Sequence, residues 1–233
     1  MAVLRTAREE NFKVFVREKI TRANEWQTES HIGRLEEEAW IKRYEYESDI
    51  LSNLCKNNNL SKVIEYGSGP GTIGELVNTK TNGIDWTNID KIGAKDEFEK
   101  RGYTGKFFVK DLMNTFDTTD LDDDYDLVVA NDFLEHIANP SEVLATSYEI
   151  SSPNSSIFVS VPNWRMGHEF IYRGLFDFDN FIYFMWIHGW AIEDVLPSPL
   201  KTQFVAKLDS EQTMPDELVQ SWNWYFIGKK RAE

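Results

Sequence analysis

The 233-residue sequence predicts an α/β fold in which helices cover both faces of a doubly wound, mostly parallel β-sheet. Two observations support this prediction. From Ser61 onward, short apolar segments alternate with polar segments of helix length, which is the pattern of consecutive β-α-β units. In addition, the segment 125–131 is apolar on successive residues, which is typical of a central parallel strand buried on both faces.

Seven segments are predicted to form the strands of this sheet. In chain order they are 62–66, 82–86, 106–111, 125–131, 156–161, 190–195 and 222–228. Sheets of this kind bind ligands beyond the carboxyl ends of their strands, where the chain order reverses. Functional residues are therefore expected in the loops that follow the strands.

The first quarter of the chain has a different texture. Residues 7–56 are predicted to be helical, because no proline precedes Pro70 and apolar residues such as Phe12, Phe15 and Ile20 recur at helical spacing. We expect two parts, an N-terminal helical cap or lid at 1–58 and an α/β domain at 59–233.

Composition restricts the partners and the setting. The net charge of −14 makes nucleic acid an unfavourable partner, because phosphate backbones are bound by clustered basic residues. The single cysteine, Cys55, excludes an intramolecular disulfide and fits a reducing, cytoplasmic setting. The N-terminus lacks the apolar region of a signal peptide, and the longest apolar stretch, 181–192, is too short to span a bilayer, so no membrane association is predicted.

A glycine-rich loop follows the first predicted strand. The segment 63–74 reads VIEYGSGPGTIG, and such a loop lets the backbone approach a ligand closely. Gly69, Gly71 and Gly74 spell GxGxxG, the dinucleotide-binding signature. Pro70, however, lacks the N–H that a pyrophosphate-binding loop would donate. The loop predicts a bound ligand and does not by itself name it.

The acid before the loop suggests the ligand. From Glu65 the sequence has the spacing (D/E)xGxGxG, which resembles the first motif of class I S-adenosylmethionine-dependent methyltransferases of types 11 and 23. The segments 125–144 (YDLVVANDFLEHIANPSEVL) and 156–163 (SIFVSVPN) resemble the later motifs of that family, in order and with normal spacing. The resemblance implies a Rossmann-like, seven-stranded sheet with an antiparallel last strand. It also implies methyl transfer to oxygen or nitrogen of a small-molecule acceptor.

The resemblance also implies a set of cofactor-binding residues. Asp85, predicted to close the second strand, would accept two hydrogen bonds from the ribose diol, and Asp111 after the third strand would face the adenine amino group. The full implied set is Glu65, Gly67, Ser68, Gly69, Gly71, Asp85, Trp86, Asp111, Leu112 and Asn131.

A second cluster follows the fourth strand, where the acceptor is expected. Asp132-Phe-Leu-Glu135-His136 resembles the ExxEH element of the ubiquinone-pathway and small-RNA 2′-terminal O-methyltransferases, in which such residues bind a divalent cation. The resemblance thus offers Asp132, Glu135 and His136 as metal ligands, with His168 as a further one. The alternative is that Asp132, His136 or His168 acts in catalysis without metal, for example as a base. A Leu-Glu-His triplet also occurs in members of the superfamily that use no metal.

Two other function classes remain open at this stage. The fold and glycine loop would also serve an NAD(P)-dependent oxidoreductase, although Pro70, Asp111 and the Leu-Glu-His triplet are less suited to it. The chain could instead be a catalytically inactive S-adenosylmethionine-binding regulatory protein, because a fold does not guarantee an activity.

Overall fold

The structure is a computed structural model that describes residues 38–112, 118–163, 178–200, 216–219 and 221–232. Over these ranges the helices are α1 (Glu38–Asn58), α2 (Thr72–Lys80), α3 (Ile92–Arg101), α4 (Pro140–Glu149), α5 (Phe178–Ile187) and α6 (Asp216–Val219), with a short 3-10 turn at Leu134–His136. The strands are β1 (Lys62–Tyr66), β2 (Asp85–Asp90), β3 (Lys106–Val109), β4 (Tyr125–Asn131), β5 (Ser151–Pro162), β6 (Trp190–Pro197) and β7 (Asn223–Lys230).

The strands form one seven-stranded sheet in the order β3-β2-β1-β4-β5-β7-β6. The pairs from β3 through β5 are parallel, whereas β7 runs antiparallel to both β5 and β6. The chain order reverses at β1, which lies between β2 and β4. The predicted doubly wound, Rossmann-like sheet with an antiparallel last strand is confirmed.

Apolar side chains from alternate strand positions form a core on each face of the sheet. On one face, Leu51 of α1 and Val77 of α2 pack with strand residues such as Val63. On the other face, Leu144 of α4 and Phe181 of α5 complete the core. Because β1 lies between β2 and β4 and runs parallel to both, the carboxyl ends of these three strands lie side by side. The candidate site is at this edge of the sheet.

Six of the seven predicted strands coincide with observed strands within a few residues, but the second was misplaced. The prediction ended it at Trp86, whereas β2 runs from Asp85 to Asp90. The error has a physical reason, because Thr87 and Asn88 are polar yet almost completely buried inside the sheet. A search for apolar runs therefore ended the strand too early.

The predicted N-terminal helical region is described only from Glu38 onward, and residues 1–37 lie outside the described residues. Helix α1 buries Leu51 and Cys55 in the core. The division at residue 58 stays a prediction. Among the helices that the structure describes, none has both the length and the apolar character needed to cross a membrane.

Candidate functional site

The glycine loop makes a tight passage from β1 to α2. Gly67, Gly69 and Gly71 have φ angles of 67°, 54° and 77°, a left-handed conformation that glycine adopts without steric cost. The N–H groups of Gly67 and Ser68 donate to the Ile89 carbonyl of β2, at 2.9 and 3.3 Å. The loop is therefore fixed against the neighbouring strand before any ligand binds.

Two of these glycines are crowded and one is open. A Cβ atom on Gly67 would lie 2.3 Å from the Phe133 ring, and one on Gly71 would lie 2.8 Å from Phe98. A Cβ atom on Gly69 would meet no other atom within 4 Å. Gly69 is thus the point at which the loop backbone faces open space that a ligand can occupy.

Asp90 stands beside that space. It closes β2, and its carboxylate accepts hydrogen bonds from the N–H groups of Gly69 and Lys91, each at 2.7 Å. Burial raises the pKa of Asp90, while the two backbone hydrogen bonds oppose the rise. Since each carboxylate oxygen carries two lone pairs, both oxygens can accept a further hydrogen bond from a ligand diol.

Asp85 does not occupy the predicted position. It begins β2, opposite Lys62 at the start of β1, and is exposed. Its carboxylate pairs with Lys106 Nζ at 3.0 Å, at the amino end of the parallel strands. Because Asp85 and Asp90 stand five positions apart at opposite ends of the extended strand, Asp85 lies at the wrong end for a ribose contact. The prediction that it closes the strand is wrong.

Trp86 is the second residue of β2, and its side chain contacts Glu65, which directly precedes the glycine loop. The indole is buried, and its Nε1 donates to Glu65 Oε2 at 2.9 Å. A Cβ atom on Gly74 of α2 would lie 2.6 Å from this ring, so the glycine makes room for it. Trp86 therefore contacts Glu65 directly, and the implied cofactor contact stays a prediction.

Glu65 is an ionisable group buried just before the loop. Its side chain lies on the sheet face that α1 and α2 cover, and the residue is 2% exposed. Burial raises its pKa to about 8, although the hydrogen bond from Trp86 opposes the rise. Burial thus favours the protonated form of Glu65 to a higher pH than for an ordinary glutamate.

This pKa predicts a pH-dependent effect of Glu65→Gln on stability. Between the ordinary glutamate pKa of 4.5 and about 8, the unfolded chain releases a proton that the folded chain keeps. The wild-type protein therefore loses stability as the pH rises through this window. Glutamine has no such proton and still accepts from Trp86, so the melting temperature of the variant relative to wild type should increase from pH 5 to pH 8. A difference that stays constant with pH would contradict the assignment.

The other implied cofactor residues lie where parallel strands end. Asp111 and Leu112 follow β3, which ends at Val109; Asp111 is exposed and Leu112 is half-buried against the core. Asn131 closes β4, and its buried Oδ1 accepts no hydrogen bond from the residues that the structure describes. The roles of these residues remain predictions.

Asp132 is held by the protein itself. Its Oδ2 forms an ion pair with Arg43 of α1, and its Oδ1 accepts hydrogen bonds from Ser160 and Asn223. With both oxygens engaged by buried or half-buried side chains, the geometry favours a structural role over that of a base.

The predicted metal ligands do not assemble. Glu135 and His136 belong to the buried 3-10 turn, with His136 Nε2 and Glu135 Oε1 4.0 Å apart, and Asp132 faces Arg43 instead. Burial and the Asp132 charge raise the pKa of Glu135. Over the described ranges, no group of three or more His, Cys, Asp or Glu side chains could hold a metal ion. The divalent-cation interpretation is therefore not supported, and His168 lies outside the described residues.

Sequence reasoning missed Asp90 and the partners of Asp132. A signal for Asp90 was present, because it ends the segment WTNID directly after the apolar Ile89, and only Lys91 separates it from helix α3. For Arg43, Ser160 and Asn223 we find no local signal, since their contacts join residues 28 to 91 positions apart.

The fold and the loop together define a class of protein. The strand order, the antiparallel β7, the glycine loop after β1 and the acid that closes β2 are the arrangement that a class I methyltransferase is expected to have. The chain belongs to the family described as a methyltransferase domain (Methyltransf_23), whose model matches residues 38–201.

Individual relatives agree with this class. The chain is 25% identical over 143 residues to the ubiquinone biosynthesis O-methyltransferase of Pasteurella multocida strain Pm70. The match covers 52% of this chain and 59% of that protein. The chain thus spans less than two thirds of the length of this relative.

Solved structures share the fold at low sequence identity. A chain of the complex between the Haloferax volcanii Trm112 methyltransferase activator and a methyltransferase superposes with a TM-score of 0.61, at 13% identity, covering 90% of this chain and 98% of that one. The Burkholderia thailandensis 1,6-didemethyltoxoflavin-N1-methyltransferase, solved with 1,6-didemethyltoxoflavin and S-adenosylhomocysteine, gives a TM-score of 0.60 at 14% identity, covering 90% and 87% of the two chains.

Proposed function

We propose that the protein is an S-adenosylmethionine-dependent methyltransferase that acts on oxygen or nitrogen of a small-molecule acceptor. The observation that carries the proposal is the open space at Gly69, bordered by the Asp90 carboxylate of the adjacent strand. A glycine backbone at the carboxyl end of β1 and an acid at the end of β2 suit a ligand with a ribose diol.

The residues present fit this cofactor. By strand alternation, Glu65, Asp90 and Asn131 project to one face of three adjacent strands, β1, β2 and β4. They offer carboxylate and amide oxygens, and the Asn131 Oδ1 accepts no hydrogen bond within the described ranges. Such acceptors suit the hydroxyl and amino groups of S-adenosylmethionine and its positive charge.

The chain supplies binding, orientation and exclusion of water. When bound, S-adenosylmethionine supplies a methyl group already activated on a sulfonium sulfur. In the transfer, the S–CH3 bond breaks as a C–O or C–N bond forms, and the acceptor loses a proton. We propose His136, in the turn after β4, as the group that takes this proton. His168 remains a predicted alternative.

The small-molecule acceptor is supported by charge and by relatives. The net charge of −14 disfavours nucleic acid. The Pasteurella relative is named for ubiquinone biosynthesis, and the Burkholderia structure holds 1,6-didemethyltoxoflavin. We further propose a cytoplasmic setting, from the single buried cysteine, Cys55.

Formation of S-adenosylhomocysteine tests the transfer. The protein is incubated with S-adenosylmethionine and, separately, with phenols, catechols, heteroaromatic N–H compounds, RNA and a protein mixture. We expect product to form with at least one small molecule and not with RNA or protein. Product with RNA alone would overturn the acceptor class. Cofactor binding without product from any acceptor would favour the regulatory alternative.

A further inference from the structure

A buried ion-pair network joins α1 to the end of β4. Arg43 is 3% exposed; its Nε donates to Glu47 Oε1 at 2.6 Å, and its terminal nitrogen pairs with Asp132 Oδ2. Burial alone would lower the pKa of Arg43, but the carboxylates of Asp132 and Glu47 raise it above its ordinary value. Arg43 is therefore charged and bound to two carboxylates at once.

The network continues across two more strands. Asp132 N–H donates to Ser160 Oγ at 2.9 Å, and Ser160 Oγ donates back to Asp132 Oδ1 at 2.7 Å. Asn223 Nδ2 also donates to Asp132 Oδ1, and Tyr225 donates its hydroxyl to Glu47 Oε1 at 2.7 Å. Side chains from α1, β5 and β7 thus converge on the residue that follows β4.

Stability alone is a weak reason for such an arrangement. Buried ion pairs lose much of their attraction to the cost of desolvation, and apolar replacements are often as stable or more so. Asp132 also has a φ of 44°, which non-glycine residues adopt only at a cost. The ion pair and the positive φ both belong to the residue after Asn131. The buried Oδ1 of Asn131 accepts no hydrogen bond within the described ranges and lies at the proposed cofactor site.

We propose that Arg43 is a positioning residue that holds Asp132, and through it Asn131 and the turn Leu134–His136, in the geometry that binds the cofactor. The inference rests on the proposed function, because it concerns the same site. Arg43 need not touch the ligand; it acts through the backbone that Asp132 continues from β4. The planar guanidinium is suited to this role, since it reaches two carboxylates with separate nitrogens.

The test separates stability from binding. S-adenosylhomocysteine affinity and melting temperature are measured for Arg43→Met, Asp132→Asn and the double variant. Arg43→Met leaves the half-buried Asp132 carboxylate and the buried Glu47 carboxylate without their shared partner, so it should lower both quantities. In the double variant the Asp132 charge is gone and Glu47 still accepts from Tyr225, so the melting temperature should recover in part, while affinity stays about ten-fold or more below wild type.

One control variant and one conservative variant complete the test. Arg101→Met breaks a similar Arg–Glu pair, Arg101 Nε to Glu97 Oε1 at 2.7 Å, on α3 and away from Asp132, and should leave affinity unchanged. Arg43→Lys keeps the charge and loses the two-pronged contact. It should fold with a melting temperature near wild type and still bind more weakly, which keeps the test open if Arg43→Met does not fold.

The outcomes are distinct. Affinity that recovers together with melting temperature in the double variant would show a purely structural role and overturn the inference. Wild-type affinity in Arg43→Lys and Asp132→Asn would overturn it as well. A wild-type protein that does not bind S-adenosylhomocysteine would instead remove the proposed function, and this inference with it.

Discussion

Replacing Asp90 with alanine is expected to weaken the binding of S-adenosylhomocysteine about 100-fold or more. We propose that the Asp90 carboxylate accepts both hydroxyls of a ribose, and it accepts the N–H of Gly69 at 2.7 Å. Hydrogen bonds to a charged acceptor contribute about 1.5–3 kcal/mol each, so the loss of two amounts to about 3 kcal/mol or more. Calorimetric titration of the variant measures the change directly.

Asp85→Ala is the matched control for this prediction. Asp85 belongs to the same strand and is also an aspartate, but it is exposed at the opposite end and pairs with Lys106. We expect unchanged affinity for S-adenosylhomocysteine. Loss of affinity in Asp85→Ala, with wild-type affinity in Asp90→Ala, would show that the cofactor lies elsewhere.

Replacing Gly69 with alanine is expected to weaken cofactor binding while the protein still folds. The φ of 54° costs alanine about 1 kcal/mol, and the added methyl group meets no protein atom within 4 Å. It would project into the space that we propose for the cofactor. Affinity for S-adenosylhomocysteine should fall by about ten-fold or more, a loss of roughly 1.4 kcal/mol or greater.

Gly83→Ala provides the comparison. Gly83 has a φ of 79° and equally open surroundings, but it lies in the turn between α2 and β2. The two variants should therefore lose similar amounts of stability, measured by thermal unfolding, and only Gly69→Ala should lose binding. Equal affinities in the two variants would place the ligand away from the loop.

The sequence was sufficient to predict the parts of the fold that depend on local patterns. Strands β1 and β4 lie where they were predicted because Val63, Ile64 and the apolar run in 125–131 are buried in the sheet. The glycine loop was recognisable because its positive φ angles restrict the residue type. These features are encoded by residues close together in the chain.

The rest of the site depends on contacts between distant residues. The end of β2 was misjudged because buried Thr87 and Asn88 look like surface residues in a sequence, and this moved the predicted acid from Asp90 to Asp85. The resemblance in the Asp132–His136 segment suggested a metal site. It could not reveal that Arg43, which belongs to helix α1, pairs with Asp132 after β4.

Calorimetric titration of the wild-type protein with S-adenosylhomocysteine, and in parallel with NADH, tests the proposed cofactor most directly. We expect a dissociation constant of about micromolar order for the first ligand, or a free energy of roughly −8 kcal/mol, and no binding of the second. Binding of NADH without binding of S-adenosylhomocysteine would contradict the proposed function and make the glycine loop a dinucleotide site.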